Sequence, residues 1–352
     1  MLRDAFAEGK TGMKSPGRVG YAVVGLGHFA EYAVLPGFRG SRKAKLVAVV
    51  SGDQRKARRL AKKFGAAGIY DYQTYAQCLD NPQVEAVYIA TNNSTHAEFA
   101  VQAAAAGKHV LCEKPMATTV AECRQMIDAC QSHRVRLMIA YRKYFEPAAI
   151  GLKSLIAGGR LGPLKILHSA FSTHLRPGMA RPAWHFDAKL AGGGALPDVG
   201  VYCINTARWV TGLNPVEASA YQWTVDPEAF REVDEHMAFR LNFPGGLVMQ
   251  ATASWGAAKQ SFLHVVGDQG WATLVPAFQY DEERRFFGRI GGKWFEKKFP
   301  VVNELALELD HLADCIRRHR EPAPNGTEGL RDVAVIQAIY QSIHTGRPVK
   351  IA

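Results

Sequence analysis

The sequence predicts an α/β protein with a doubly wound parallel sheet in its N-terminal half and an α+β domain in its C-terminal half. Up to about residue 145, short apolar runs alternate with helical stretches, which is the pattern of βαβ units. Beyond that point the segments are richer in aromatic and β-branched residues and are separated by turn signals. The length of 352 residues is sufficient for two domains.

Five apolar runs predict the strands of the first sheet. They are continuously apolar rather than alternating, as expected for strands buried on both faces. The predicted strands are 20–24, 45–50, 84–90, 109–112 and 136–140, and the predicted helices are 54–64, 95–106 and 118–132. We place this domain at residues 19–144, after a polar N-terminal arm at 1–18.

The second half predicts an antiparallel or mixed sheet followed by two helices. Turn signals such as Pro244-Gly245-Gly246 and Gly291-Gly292 separate its strand-like segments. The predicted strands are 165–172, 217–225, 238–243, 247–254, 262–267 and 271–274, and the predicted helices are 304–320 and 328–345. We place this domain at residues 145–352.

The composition excludes several classes of protein. The net charge of +11 suggests nucleic acid, acidic membranes or phosphorylated ligands as partners, but no zinc-finger or RNA-binding aromatic signature accompanies it. No apolar run approaches the ~18–20 residues of a membrane span, and the N-terminus lacks the apolar core of a secretory signal. The six cysteines are too sparse for a disulfide scaffold and show no zinc-ligand spacing. We therefore expect a cytoplasmic protein with no metal site and no nucleic-acid or membrane partner.

A glycine motif follows the first predicted strand. The segment Gly25–Ala30 reads Gly-Leu-Gly-His-Phe-Ala and fits the G-x-G-x-x-A pattern. In that pattern the first glycine permits a tight turn, the second lets the backbone approach a pyrophosphate, and the small last residue permits close packing of helix and strand. An ordinary glycine turn is the alternative, but the preceding strand and the βαβ series favour dinucleotide binding by a Rossmann domain.

The end of the second strand indicates which dinucleotide binds. An acidic residue here would grip the ribose 2′-hydroxyl of NAD, whereas this strand ends in the neutral pair Ser51-Gly52. Arg55 and Lys56 follow at the helix start, where they could neutralise a 2′-phosphate. Asp53 is either a ribose ligand or the N-cap of that helix. On balance the segment favours NADP as the cofactor.

Much of the excess positive charge lies in this region. Ten Lys or Arg residues and one acidic residue occupy the range from Arg39 to Lys63. We expect most of them to form a solvated surface, because only those at the strand end can reach a bound phosphate. Part of the net charge is thus interpreted as a cofactor preference.

Two further segments carry candidate catalytic residues. Lys114 and Pro115 directly follow the fourth predicted strand, whose carboxyl end should open on the ligand crevice. Three glycines precede a predicted helix begun by Pro197, in which Asp198 and Tyr202 are four residues apart and share a face. A helix-dipole role for Asp198 and a core role for Tyr202 are the structural alternatives.

The chemistry of alcohol oxidation requires residues of these types. An enzyme that removes hydride from an alcohol carbon must also accept the hydroxyl proton. A tyrosine can accept that proton when a nearby cation favours the phenolate, and Lys114 is the candidate for that cation.

These motifs together resemble the Gfo/Idh/MocA family, which includes glucose–fructose oxidoreductase and inositol dehydrogenase. The resemblance covers nearly the whole chain after residue 19. Many members carry histidine at the position of Tyr202, and tyrosine there is similar to the glucose–fructose oxidoreductase branch. The motifs that carry the resemblance are Gly25–Ala30, Ser51-Gly52, Tyr70-Asp71-Tyr72, Asn92–His96, Gly107–Pro115 (ending Cys-Glu-Lys-Pro), Tyr141-Arg142 and Gly192–Tyr202.

The resemblance implies a fold, a cofactor and a set of functional residues. It implies a Rossmann domain followed by an open-faced mixed sheet that dimerises, together with NADP and a sugar substrate. Tyr202 would be the acid/base, Lys114 would orient the substrate, and Asp198 would be their partner. Together with Arg55 from the strand-end interpretation, the expected cofactor contacts are Gly25, Gly27, His28, Phe29, Ser51, Gly52, Lys56, Tyr72, Thr91, Asn92, His96, Glu113, Lys114, Arg142, Trp184 and His185.

Two features differ from glucose–fructose oxidoreductase. That enzyme is exported and has a longer N-terminal extension that helps to retain its cofactor, whereas the arm here has about 18 residues. The stretch Ser172–Asp187, which contains His174, Arg176, Arg181, Trp184 and His185, also looks different. We expect this stretch to line the sugar pocket.

The expected function is oxidation of C1 of an aldose to a lactone with NADP, paired in one version with reduction of a second sugar to its alditol. We expect a homodimer or homotetramer formed through the C-terminal sheet. A non-catalytic NADP-binding sensor on the same fold is the alternative, because fold alone does not determine function. Retention of Lys114, Asp198 and Tyr202 together favours the enzyme.

Overall fold

The computed structural model describes residues 17–179 and 183–351. Most of the predicted N-terminal arm (1–18) and Arg181 lie outside the described residues. A six-stranded parallel sheet and a nine-stranded mixed sheet organise the chain. This confirms the predicted fold class.

The first sheet has the strand order β3-β2-β1-β4-β5-β6. Its strands are β1 (Val19–Val24), β2 (Ala44–Val50), β3 (Gly68–Tyr70), β4 (Ala86–Ile89), β5 (His109–Cys112) and β6 (Leu137–Ile139). The helices along this part of the chain are α1 (Leu35–Gly40), α2 (Gln54–Phe64), α3 (Tyr75–Asp80), α4 (His96–Ala105), α5 (Val120–Ser132) and α6 (Pro147–Ala157). Every residue of β1 and β4 is buried, which explains why these strands read as continuous apolar runs.

Helix caps define where the first helices begin. Asp53 is the N-cap of α2, and its carboxylate accepts a hydrogen bond from the backbone N–H of Lys56 at 3.0 Å. Thr119 and Glu122 form a reciprocal capping box at the start of α5. Of the two roles that the sequence left open for Asp53, the structure therefore provides the N-cap.

The second sheet has the order β14-β13-β12-β11-β7-β10-β9-β8-β15. Its strands are β7 (Leu164–Ser172), β8 (Glu217–Trp223), β9 (His236–Asn242), β10 (Val248–Ser254), β11 (Gln260–Gly267), β12 (Gly270–Val275), β13 (Arg284–Ile290), β14 (Lys293–Phe299) and β15 (Val349–Lys350). The remaining helices are α7 (Ala188–Ala191), α8 (Val201–Thr211), α9 (Glu304–Arg317) and α10 (Gly326–Thr345). Strands β7 and β10 pair in parallel and the other neighbours are antiparallel, so the sheet is mixed.

Helix α9 follows the second sheet in sequence but packs against the first. Its apolar residues Leu309 and Leu312 share a core cluster with Val19 and Tyr21 of β1. On its polar side, Asp310 accepts hydrogen bonds from the backbone of Arg42 and Lys43, at 3.0 and 2.8 Å. The domain boundary at residue 145 thus remains a prediction. Helix α9, which lies after that boundary in the chain, packs on the first sheet.

Two elements differ from the sequence prediction in ways that affect the site. The strand that precedes Lys114 is the fifth and not the fourth, because the three-residue strand β3 carries no recognisable pattern. The helix predicted to begin at Pro197 opens with a π-helical turn, Leu196–Gly200, that runs into α8. Such turns are rare and are frequently associated with functional sites.

A buried ion pair joins α8 to α10. The guanidinium of Arg208, which is 3% exposed, contacts the buried carboxylate of Asp332, and it also contacts Glu328 at 2.9 Å. We expect Arg208→Met to lower the free energy of unfolding by about 3 kcal/mol, because it leaves the Asp332 carboxylate buried without its cation. Arg331→Met is the matched control, since Arg331 contacts Glu328 from an exposed position and should change stability by less than about 1 kcal/mol. Equal effects of the two substitutions in urea unfolding would contradict this account.

Candidate active site

A cavity of about 190 Å³ lies between the carboxyl ends of the first sheet and the start of α8. This is the crevice in which open α/β sheets bind their ligands. Of the residues predicted to be functional, the cavity wall includes Gly27, His28, Phe29, Thr91, Glu113, Lys114, Arg142, Trp184, His185, Asp198 and Tyr202. The sequence therefore identified residues from six separate segments that the fold brings together.

The glycine motif forms one end of the cavity. Gly25 has φ +91°, and a Cβ there would lie 2.6 Å from the carbonyl oxygen of Ala90, so only glycine is accommodated. Gly27 lines the cavity, and no described atom lies within 4 Å of the position its Cβ would take. Helical structure begins at His28. The open space above Gly27 and the adjoining helix N-terminus fit the pyrophosphate of a dinucleotide.

A second group of predicted cofactor contacts lies beside the cavity, at the ends of β2 and β3. The ring of Tyr72 lies over Gly52, with 3.4 Å between a ring carbon and the position of a Cβ at Gly52. The hydroxyl of Ser51 accepts a hydrogen bond from the backbone N–H of Asp53 at 3.2 Å. Since the carboxylate of Asp53 caps α2, it does not occupy the neutral strand end.

The basic residues of this region have several roles. Arg55 is exposed on the first turn of α2, whereas the Lys56 ammonium lies 3.2 Å from the carboxylate of Glu31. Arg59 also contacts Glu31, at 2.8 Å. Lys43 forms an ion pair with Asp314 of α9. Part of the concentrated charge is thus balanced by acids from elsewhere in the fold, which the local sequence could not indicate.

Lys114 and Asp198 form an ion pair at the opposite end of the cavity. The Lys114 ammonium donates to the Asp198 carboxylate at 3.0 Å and to the Asp198 carbonyl at 2.7 Å. The other carboxylate oxygen of Asp198 accepts a hydrogen bond from the indole N–H of Trp255 at 3.0 Å. Trp255 was not predicted to belong to the site. The only sequence feature that points to it is its position directly after a strand, where a buried indole N–H needs a hydrogen-bond acceptor.

The environment of Lys114 keeps it charged. Burial opposes the ammonium, but the charges of Asp198, Tyr202 and Glu113 outweigh burial and raise the pKa of Lys114. Glu113 itself is buried, accepts a hydrogen bond from the Tyr88 hydroxyl at 2.7 Å, and has a raised pKa because of its burial. Lys114 is therefore a cation at neutral pH.

Tyr202 lies between two cations. The Lys114 ammonium is 5.0 Å from the centroid of the Tyr202 ring, and the Arg142 guanidinium carbon is 4.9 Å from it. The Nε–H of Arg142 donates to the Tyr202 hydroxyl at 3.2 Å. The Tyr202 hydroxyl is thus held by a charged donor on the wall of the same cavity as Lys114.

Hydrogen bonds to Asp234 hold the turn that delivers Asp198 and Tyr202. Its carboxylate accepts from the backbone N–H groups of Gly194 and Leu196, both at 2.7 Å. A Cβ at Gly194 would lie 2.1 Å from the carbonyl oxygen of Asp234. The glycine cluster is thus required for close approach of two backbone segments.

Aromatic side chains form the remaining wall. Trp184 and His185 stack with ring centroids 3.8 Å apart, and His185 also faces Trp255 at 6.3 Å. Phe171 and Tyr280 complete this wall but were not predicted, since they come from β7 and from a loop far from any motif. Part of the stretch 172–187 therefore does line the cavity, as expected.

Eight of the predicted cofactor residues do not form the cavity wall. These are Gly25, Ser51, Gly52, Arg55, Lys56, Tyr72, Asn92 and His96. Asn92 supports the start of α4, because its side-chain oxygen accepts from the Ser94 and Thr95 hydroxyls at 3.0 and 3.1 Å. His96 is completely buried, and its Nδ1 lies 3.0 Å from the carbonyl oxygen of Pro115. His96 is thus anchored to the turn that carries Lys114, and its predicted cofactor contact stays a prediction.

The burial of His96 predicts acid sensitivity. Burial lowers the pKa of His96 to about 4, whereas an unfolded histidine titrates near 6.5. Below pH 6.5 the unfolded chain therefore binds a proton that the folded chain does not, and stability falls as the pH falls toward 4. His109, with its pKa also lowered to about 4 by burial, acts in the same direction.

Asparagine at position 96 keeps an N–H donor toward Pro115 but does not titrate. We therefore expect the His96→Asn variant to take up one proton fewer on unfolding below pH 6.5. The slope of the unfolding free energy between pH 6.5 and 4 should then decrease by about 1.4 kcal/mol per pH unit. Urea unfolding across this range measures both slopes. An unchanged slope would contradict a neutral buried His96.

Within residues 17–179 and 183–351, no cluster of three or more His, Cys, Asp or Glu side chains could hold a metal ion. In the same part of the chain, no helix has the length and apolar character needed to cross a membrane. Besides the Lys114, Asp198 and Tyr202 side chains, the polar groups on the cavity wall include the Arg142 guanidinium and the imidazoles of His28 and His185. Dinucleotide binding at one end and a tyrosine–lysine pair at the other define the class of nicotinamide-dependent oxidoreductases.

Comparison with known proteins supports this class. Residues 19–141 match an oxidoreductase family model described as an NAD-binding Rossmann fold, and residues 150–273 match the Gfo/Idh/MocA C-terminal domain. The chain belongs to the Gfo/Idh/MocA oxidoreductase family, as the sequence motifs indicated.

Three relatives illustrate the range of substrates in the family. D-xylose 1-dehydrogenase [NADP(+)] of Haloarcula marismortui is 30% identical over 95% of this chain and 93% of its own length. Trans-1,2-dihydrobenzene-1,2-diol dehydrogenase of Oryctolagus cuniculus is 31% identical over 80% of this chain and 84% of its own. The crystal structure of aldose-aldose oxidoreductase from Caulobacter crescentus, complexed with glycerol, is 36% identical with a TM-score of 0.90, and the match covers 95% of this chain and 99% of that one.

Proposed function

We propose that the protein is an NADP-dependent sugar oxidoreductase that oxidises C1 of an aldose to the aldonolactone. The observation that carries this proposal is the cluster of Lys114, Asp198 and Tyr202 on the wall of the same cavity as the glycine motif. NADP is the cofactor that the neutral end of β2 and the NADP(+)-dependent xylose dehydrogenase both support. The names of two sugar-specific relatives support the substrate class.

The roles of the residues follow from their positions. NADP, when bound, supplies the nicotinamide carbon that accepts the hydride. Lys114 donates a hydrogen bond to the C1 hydroxyl of the sugar, and Asp198 with Trp255 keeps the ammonium in place. Tyr202 accepts the hydroxyl proton as hydride leaves C1, so the sugar loses two hydrogens and becomes the lactone.

The reverse direction uses the same groups. A second sugar in its open aldehyde form would receive the hydride at C1, and Tyr202 would return its proton to the carbonyl oxygen, which gives the alditol. Paired turnover of this kind needs NADP to remain bound between the two sugars. The name of the aldose-aldose oxidoreductase, at 36% identity, supports this version of the proposal.

The second domain, proposed at 145–352, would bind the sugar and form a homodimer or homotetramer. The open face of its sheet carries Tyr221, Trp223 and Ile166, which are 69%, 36% and 41% exposed in the single chain. Large apolar side chains grouped on one sheet face are typical of an interface. Sedimentation velocity would test this, and a monomer at micromolar concentration would contradict it.

The reaction is tested by incubating the purified protein with pairs of aldoses, D-xylose among them, without added cofactor. Formation of lactone and alditol in equal amounts is expected if NADP is retained and recycled. Product that forms only after NADP is added would indicate an ordinary dehydrogenase. Absence of turnover on all aldoses with saturating NADP, or turnover of a dihydrobenzenediol alone, would overturn the sugar assignment.

We expect Arg55→Ala to weaken NADP(H) binding about tenfold and to leave NAD(H) binding unchanged, since only NADP carries the 2′-phosphate that Arg55 would contact. Quenching of protein fluorescence on titration with each cofactor measures both affinities. Arg58→Ala is the matched control, because Arg58 is also exposed on α2 but one turn farther from the strand end. A parallel loss of affinity for both cofactors, or an equal effect of the control, would contradict the assignment.

A further inference from the structure

Arg142 is held against the hydroxyl of Tyr202 by a buried framework. It lies on the short helical turn that follows β6, and it is 3% exposed. Its Nε–H donates to the Tyr202 hydroxyl at 3.2 Å. The same guanidinium also faces the ring of Tyr280, with 4.6 Å between its carbon and the ring centroid.

The other nitrogens of this guanidinium are already engaged by the protein. One donates to the carboxylate of Glu304 at 2.6 Å and to the carbonyl of Gln279 at 3.5 Å, and the other donates to the carbonyl of Phe278. A guanidinium presents its donors in one rigid plane, so these contacts fix its orientation. The protein therefore sets the position of Arg142 on the cavity wall, and the predicted cofactor contact stays a prediction.

Glu304 is the anchor of this framework. It is the first residue of α9, and its carboxylate also contacts Lys143 and Arg284, each at 2.9 Å. Burial favours the neutral carboxyl group, but Lys143 and Arg142 outweigh burial and lower the pKa of Glu304. The carboxylate thus stays ionised and keeps Arg142 in place.

We propose that Arg142 is a positioning residue for the acid/base, which it serves by orienting the Tyr202 hydroxyl and stabilising its phenolate. This proposal rests on the acid/base role proposed for Tyr202. The charged and titratable groups that face Tyr202 are Lys114 after β5, Arg142 after β6, Tyr88 on β4, and Asp198 one turn earlier in its own helix. Two of these are cations, and Arg142 donates a hydrogen bond to the Tyr202 hydroxyl.

When the charge of Arg142 is removed by substitution, Lys114 remains as the cation close to Tyr202. The phenolate then forms at a higher pH, since an opposite charge at this distance typically changes such an equilibrium by at least one pH unit. Lys143→Met provides the matched comparison, because Lys143 shares the Glu304 anchor but makes no described contact with Tyr202. A purely structural role of the framework would affect both variants alike.

The test is an alkaline titration of the full-length protein followed by the near-ultraviolet absorbance of phenolate. Subtracting the curve of Tyr202→Phe from that of the wild type isolates Tyr202. In Arg142→Met we expect the midpoint of Tyr202 to rise by about one pH unit. In Lys143→Met we expect it to stay at the wild-type value.

The Arg142→Gln variant is titrated as well, because glutamine keeps two N–H donors but carries no charge. The result then does not depend on the folding of a single variant. The same upward shift is expected. A wild-type midpoint in the Arg142 variants, or an equal shift in Lys143→Met, would overturn the proposal. Failure of the proposed function is separate, because it would appear as retained turnover in Tyr202→Phe, which the titration does not measure.

Discussion

We expect Tyr202→Phe to lower kcat for aldose oxidation by about 10³-fold while the affinity for NADP stays within about twofold of the wild type. The substitution removes only the hydroxyl, so the packing of the ring against Phe171 and Phe278, at 5.6 and 5.9 Å between centroids, is retained. The protein then has no described group at that position to accept the C1 proton. Steady-state kinetics and a fluorescence titration with NADPH measure the two effects.

Tyr221→Phe is the matched control for this experiment. Tyr221 is 69% exposed on the open face of the second sheet and lies outside the cavity. The Tyr221→Phe substitution should therefore leave kcat unchanged. Turnover in Tyr202→Phe within a few-fold of the wild type, with the cofactor still bound, would refute the assignment of the acid/base.

We expect Lys114→Met to lower kcat/KM by about 10³-fold, which is about 4 kcal/mol of transition-state stabilisation. Two effects add in this variant. The donor to the C1 hydroxyl is lost, and the carboxylate of Asp198 loses the ammonium that lies 3.0 Å away. The substitution also removes a positive charge 5.0 Å from the centroid of the Tyr202 ring, so we expect the optimum of kcat to move to higher pH.

Lys114→Arg helps to separate these effects, because it keeps the charge but not the geometry of the ammonium. It should keep the wild-type pH profile and still lose most of the rate. Lys189→Met, an exposed lysine on α7 outside the cavity wall, is the control and should match the wild type. A loss of less than tenfold in Lys114→Met would exclude direct participation of this ammonium.

The first sheet was the part of the fold most accessible from sequence. Strands β1, β4 and β6 are fully buried, and β2 and β5 are mostly buried and apolar. Burial on both faces produces a signal that does not depend on distant contacts. Strand β3 has three residues, none fully buried, and gave no such signal. Strands β13 and β14 were also missed, because their exposed faces carry many Lys and Arg residues.

The site was predictable where its residues belong to local motifs. The glycine turn, the segment ending in Lys114 and the segment from Gly192 to Tyr202 each have a recognisable pattern. Trp255 and Glu304 do not, since their roles arise from contacts with Asp198 and Arg142 across 57 and 162 residues of sequence. Contacts at such separations depend on the completed fold, and a single sequence carries no trace of them.

The placement of α9 has a consequence for how the protein can be divided. Helix α9 shares a core cluster with the first sheet and its first residue holds Arg142, so the unit built on the first sheet draws on two separate stretches of chain. A fragment ending at residue 144 would expose the apolar surface of β1 that Leu309 and Leu312 cover. In terms of modular architecture, the chain passes from the first sheet to the second, returns to the first through α9 and ends on the second at β15, so no single cut separates the two sheets.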